Sequence, residues 1–143
     1  MSTCVVDASV VAAALFPEPC TETARALFIS GEWLLAPGLV HAELANVIWK
    51  RVGRSEISAD EARALLGDFL ALPLVVTPTD ALVETALELA LRTERTVYDS
   101  LYVALALRAE APLVTADRRL VNALRQHGLE DAVCWIGAMT EGP

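Results

Sequence analysis

Lysine occurs once in this chain, at Lys50, and histidine twice, at His41 and His127. Neither histidine has a partner at metal-ligand spacing, so an imidazole metal centre is not expected and both read as surface residues. Cysteine is also sparse. Cys4, Cys20 and Cys134 form an odd set with no CxxC pair. Cys4 and Cys134 fall in apolar runs, where a thiol packs as a small hydrophobe. That usage points away from a disulfide scaffold and towards a reducing cytoplasm. Aromatic residues make up only 6% of the chain, with no alternation of aromatic and basic residues to suggest a platform for stacked nucleobases. Trp33, Trp49 and Trp135 read instead as core or interface residues. There is no glycine-rich phosphate loop and no Ser–His–Asp signature. No uncharged apolar run approaches the ~18 residues of a membrane span. No basic segment precedes the first apolar residues, as it would in a signal peptide.

Positive charge is the last scarcity. Lys plus Arg number 11 against 19 Asp plus Glu, a formal charge of −8. Bulk attraction to nucleic acid is therefore excluded as a binding principle, and a nucleic-acid substrate would need a cation or a few local arginines. An acidic body also suits a basic protein partner.

What the chain does have is apolar material. Hydrophobic residues are 55% of 143, enough for one domain with a sizeable core. Five short apolar runs read as strands, at 4–6, 33–36, 74–77, 113–115 and 132–135. Each is nearly continuous rather than alternating, the pattern of strands covered on both faces in a parallel sheet. Helical stretches separate them, which makes the fold class α/β.

The punctuation is consistent with that reading. Pro17 and Pro19 end a first helix near Phe16. A second helix runs over 21–30 with Gly31 to close it. A third covers 39–52 after the Pro37-Gly38 turn and stops at Gly53. Ser58-Ala59-Asp60-Glu61 is a capping box, followed by Ala62, Leu65, Leu66, Phe69 and Leu70 on one stripe. Thr79 is the expected N-cap of a helix over 79–91. The stretch 98–109 is the most apolar helix, and 117–127 is the last. A single domain over 1–138 with a frayed tail at 139–143 is expected.

Four acids stand out in this frame. Asp7 follows the first strand and Asp117 the fourth, and ligands in open parallel sheets bind beyond the carboxyl ends of strands. Each is also a good helix N-cap, and Thr96-Val97-Tyr98-Asp99 has the capping-box pattern, so a purely local role stays open for all three aspartates. Glu43 lies inside an apolar helix, past its first turn, with Asn46 on the same face. Such an acid either sits at the solvent edge or is held by a partner. If the four meet, their mutual repulsion is relieved by a divalent cation, and an all-oxygen donor set suits Mg²⁺ or Mn²⁺. A water held on such an ion can serve as the nucleophile in phosphodiester hydrolysis. Arg118 and Arg119 follow Asp117 directly and are candidates for phosphate contact, although a solvated helix face accounts for them equally well.

The segments Val5-Val6-Asp7-Ala8-Ser9, Ala42-Glu43-Leu44-Ala45-Asn46, Tyr98-Asp99-Ser100-Leu101-Tyr102 and Leu113-Val114-Thr115-Ala116-Asp117 together resemble the PIN-domain ribonucleases, specifically the VapC-type toxins of prokaryotic toxin–antitoxin pairs. The resemblance spans nearly the whole chain, in order. It implies a PIN-like three-layer α/β/α fold with a five-stranded parallel sheet of order 3-2-1-4-5, in which the first and fourth strands are neighbours. It implies that Asp7, Glu43, Asp99 and Asp117 are a catalytic quartet binding Mg²⁺ or Mn²⁺ for endonucleolytic RNA cleavage. Ser9 and Thr115 match the hydroxyls that accompany the first and last acids and, with Asn46, are expected to orient carboxylates or waters. The resemblance also implies a homodimer and a cognate antitoxin that blocks the cleft.

Two alternatives remain at this level. One is a catalytically inactive PIN-like interaction module, although all four acids are present. The other is a phosphoryl-transfer α/β domain, disfavoured because Asp7-Ala8-Ser9 lacks a second acid at the +2 position and Lys50 lies within a helix rather than at a strand end.

Overall fold

A computed structural model describes residues 2–140. Five parallel strands form one sheet of order β3-β2-β1-β4-β5. They are β1 (Thr3–Val6), β2 (Trp33–Pro37), β3 (Leu74–Thr77), β4 (Leu113–Thr115) and β5 (Val133–Trp135). Parallel neighbours require crossovers, and seven helices supply or flank them. These are α1 (Ala8–Leu15), α2 (Thr21–Phe28), α3 (Leu39–Gly53), α4 (Ala59–Leu70), α5 (Val83–Thr93), α6 (Val97–Ala109) and α7 (Arg118–Gln126). The fold is α/β with the strand order that the resemblance implied, and it sets β1 beside β4.

The pleat sorts the core into two layers. Val5, Leu113 and Val133 lie side by side across β1, β4 and β5 and enter one cluster with Leu101, Leu105 and Leu120. Val6, Val114 and Cys134 are the next residues along and enter the opposite cluster with Val10, Ala24 and Leu27. Helix α6 has no polar stripe: residues 100–106 are all buried, because it packs against β1, β2 and β4 on one side and α5 on the other. Cys4, Cys20 and Cys134 are free thiols, and burial pushes Cys4 up to about 12, the signature of an unreactive core group.

Two expectations need correction. Thr79 does not cap a continuous helix. Thr79–Ala81 is a 3₁₀ turn, Leu82 follows, and α5 starts at Val83 without a side-chain cap. Pro78 fixes the entry, and Leu82, buried in the core, takes precedence over local capping. The β3 strand is not covered on both faces, since Val75 and Val76 are exposed. It is the sheet edge, where apolar character no longer implies burial. Trp33 and Trp49 are exposed, so of the core and interface roles expected for them only the second stays open. The Ser58–Glu61 capping box is fully formed, with both reciprocal bonds. Met139 belongs to a 3₁₀ segment, Ile136–Thr140, and residues 141–143 of the expected tail lie outside the described residues.

Candidate active site

The centre of the site is Asp7. Strand β1 ends at Val6, and Asp7 is the N-cap of α1. Its Oδ1 accepts from the amides of Ser9 at 3.0 Å and Val10 at 3.2 Å and from the Ser9 hydroxyl at 2.5 Å. Its Oδ2 accepts from the Thr115 hydroxyl at 2.5 Å, across the β1–β4 seam. The side chain is buried, and burial pushes its carboxyl above the usual range. The bonds from Ser9, Thr115 and Val10 pull the other way without cancelling that effect.

The other acids reach this point from three further elements. Thr115 also accepts from the amide of Asp117 at 3.1 Å, and the Ser9 hydroxyl accepts from the amide of Ala116 at 2.9 Å, so the ends of β1 and β4 are tied together. Asp117 caps α7 through the amides of Arg119 and Leu120. Glu43 projects from α3, and its Oε1 accepts from the Tyr102 hydroxyl of α6 at 2.6 Å. Burial pushes the Glu43 carboxyl up. The Tyr102 bond opposes this, and the negative charges of Asp7 and Asp99 reinforce it. Burial and the same bond raise Tyr102. Asp99 sits in the first turn of α6, whose cap is Thr96.

Arg95 links the last two acids. Its Nη2 donates to Asp99 Oδ2 at 2.9 Å and lies 4.0 Å from Asp117 Oδ2. Its Nε is buried with no hydrogen-bond partner. Among the described residues no three acidic, histidine or cysteine side chains are arranged to hold a metal ion directly. Tyr102 and Arg95 instead hold Glu43 and Asp99 in bonds of their own. The donor chemistry nonetheless fits a hard dication. All candidate ligands are carboxylate oxygens, and two of the four carboxyls are raised by burial, a cost that a positive ion would relieve.

The cap reading describes Asp7 and Asp117, which also share Thr115 as a hydrogen-bond partner. Asn46 is exposed one turn from Glu43, beside a shallow recess lined by Leu39, Ala42, Glu43 and Tyr98. Arg118 and Arg119 are exposed, and the Arg118 guanidinium lies 3.9 Å over the Trp135 ring. Sequence reasoning missed Tyr102 and Arg95 as members of the site. For Tyr102 the spacing was a usable signal, since it lies three residues after Asp99 on the same helix, whereas Arg95 precedes the Thr96 cap and no periodicity marks it.

The PIN domain family profile matches residues 4–124. The chain belongs to the PIN-domain family. Ribonuclease VapC3 of Pyrobaculum aerophilum is 36% identical over 120 residues, 82% of this chain and 92% of that protein. A solved protein of Pyrobaculum aerophilum superposes with a TM-score of 0.72 at 22% identity, covering 97% of this chain and 86% of the other. VapBC2 from Rickettsia felis, solved bound to a DNA fragment from its promoter, gives a TM-score of 0.67 at 16% identity over 93% of this chain and 98% of the other. At those identities the two solved chains speak for the PIN fold alone. No helix among the described residues is long and apolar enough to cross a membrane.

Proposed function

We propose that this PIN domain is a metal-dependent endoribonuclease, the toxin of a toxin–antitoxin pair. The observation that carries the reading is the junction around Asp7: Thr115 ties it to Asp117, Arg95 ties Asp117 to Asp99, and Glu43 lies near enough for the charges of Asp7 and Asp99 to push its carboxyl up. The ribonuclease name of the 36% identical relative supports it.

In this reading Asp7, Glu43, Asp99 and Asp117 hold Mg²⁺ or Mn²⁺. When bound, such an ion polarises a phosphoryl oxygen and makes a water acidic enough to attack near neutral pH. The protein's part is positioning. Ser9 and Thr115 fix both oxygens of Asp7, so that the carboxylate cannot swing away. Tyr102 holds Glu43 Oε1 and so fixes the direction of Oε2, the oxygen left to face the ion. Arg95 and Arg118 supply positive charge beside a polyanionic substrate in a chain that is otherwise acidic.

Partners follow from surface chemistry. Val83, Leu87 and Leu91 are exposed at four-residue spacing on α5, a stripe suited to self-association as a homodimer. An antitoxin with a basic side chain would find carboxylates to pair with in the cleft.

The test is Asp7→Asn, assayed for RNA cleavage in vitro and for growth arrest on induction. Both are expected to vanish. Undiminished activity in both assays removes the reading.

A further inference from the structure

Beside the acid network lies a second feature that the proposed chemistry does not use. A recess of about 340 Å³ is lined by Arg118, Val121, Asn122, Arg125, Trp135 and Ala138. Arg118, Asn122 and Arg125 fall on one face of α7, at spacings of four and three. Val121, between them, is buried at the floor of the recess, and Leu120 and Leu124 turn to the core on the other side of the helix. The recess adjoins the acids at two points. Arg118 is the residue after Asp117, and Trp135 pairs in register with Thr115, whose hydroxyl holds Asp7.

Its electrostatics run against the rest of the molecule. The chain carries 19 acids against 11 bases, yet neither Arg118 nor Arg125 has an ion pair or a guanidinium hydrogen bond among the described residues. Arg118 instead lies 3.9 Å over the Trp135 ring. The far end of that ring rests on Gly137, where an added Cβ would collide with it. The indole is therefore seated on backbone and can serve as a fixed platform. A stacked aromatic–guanidinium pair, a second free guanidinium and a side-chain amide are the groups that receive an unpaired nucleobase and its phosphate. The recess is at the small end of the ~300–1,000 Å³ range of ligand pockets, which suits one nucleotide rather than a duplex.

We propose that this recess is a single-stranded RNA subsite that takes one nucleotide next to the bond to be cut, its base stacked on the Trp135–Arg118 pair and its phosphate held by Arg125. The proposal rests on the ribonuclease reading above and extends it to substrate recognition. It makes Trp135 and Arg125 determinants of substrate choice, and neither belongs to the acid quartet.

The experiment measures binding apart from cleavage. In an Asp7→Asn background, a fluorescein-labelled single-stranded oligoribonucleotide of mixed sequence is titrated by anisotropy. Arg118→Gln and Arg125→Gln are each expected to weaken binding about ten-fold and to lower the salt slope by about one. Trp135→Leu should weaken it to a similar degree, about ten-fold, and remove the quenching of tryptophan emission on binding. Because Trp135 is packed on Gly137, the two exposed arginine variants keep the test decisive if Trp135→Leu does not fold. A duplex RNA of the same length should compete poorly. Unchanged affinity in both arginine variants overturns the subsite, as does equal binding of duplex and single strand, which marks a mere basic patch. Loss of binding to a polyglutamate peptide with RNA binding intact also overturns it, in favour of an acidic protein segment. Normal RNA binding by the arginine variants alongside Asp7-dependent cleavage by the wild type sinks the subsite and leaves the nuclease standing. The reverse pattern sinks the nuclease alone.

Discussion

The β1–α1 and β4–α7 junctions are built on one local plan and end in different electrostatic states. Each brings a buried strand to an aspartate, and each aspartate accepts from two amides at the start of the next helix. Asp7 is walled in, and its second oxygen is bound by Thr115. Asp117 keeps 42% of its side chain exposed, and its second oxygen faces Arg95. The difference comes from the sheet. The strand β1 is central, with β2 and β4 on either side and helices above and below, whereas β4 lies one place nearer the edge. The same capping rule therefore makes a desolvated carboxylate at one junction and a solvated one at the other. A cation bound beside Asp7 would relieve that burial cost.

The sharpest way to break this comparison is to neutralise each acid in turn and follow stability against pH without divalent ions. Folded Asp7 and Glu43 lie above their ordinary values, near ~4, so the folded state binds more protons than the unfolded chain in the window above that. Their stabilising contribution is fully present below the unfolded values and is lost as pH rises through the folded ones. Thermal melts in EDTA should show the midpoint falling as pH rises from about 4. Asp7→Asn should raise the midpoint near neutral pH and flatten the slope, whereas Asp117→Asn, at a carboxyl 42% exposed, relieves no comparable burial and should change the midpoint less. Equal behaviour of the two variants contradicts the contrast.

A second comparison sharpens the role of the hydroxyl shared by both junctions. Thr115→Val keeps the shape of the side chain and removes its bond to Asp7. Calorimetric titration should show divalent affinity falling by roughly 10–100-fold. An unaltered titration would mean that Asp7 is held by its helix amides alone. The smallest effect is expected at Arg95. Arg95→Met frees Asp99 and Asp117 from an ion pair worth about 0.5–1 kcal/mol, so Mn²⁺ should bind roughly two- to five-fold more tightly, while the metal-free protein melts lower. Weaker Mn²⁺ binding by that variant would mean that Arg95 supports the acid cluster rather than competing with the ion.

Much of the architecture could be read from the chain because its signals are local. Apolar runs marked the five strands, and Pro17, Gly53 and the Ser58 capping box marked helix ends. Those signals failed where tertiary position overrides them. Val75 and Val76 are as apolar as a central strand, yet no periodicity reveals which strand will be at the edge. Thr79 carries a good capping side chain, yet burial of Leu82 decides where α5 begins. At the site, Asp7 and Asp117 were visible as acids after strands, while the contacts that define them link residues far apart in the chain. The bond from Tyr102 to Glu43 spans 59 positions. The stacking of Arg118 on Trp135 joins positions 17 apart, a pairing that no local alternation could reveal.

The double duty of Asp7 and Asp117 has a genetic consequence. Asparagine terminates a helix as well as aspartate does, and the two are separated by one base transition in the codon. Under the toxin–antitoxin reading proposed above, cells carrying an unrestrained copy of this gene would have a short escape route, a disarmed chain that still folds and still occupies its antitoxin.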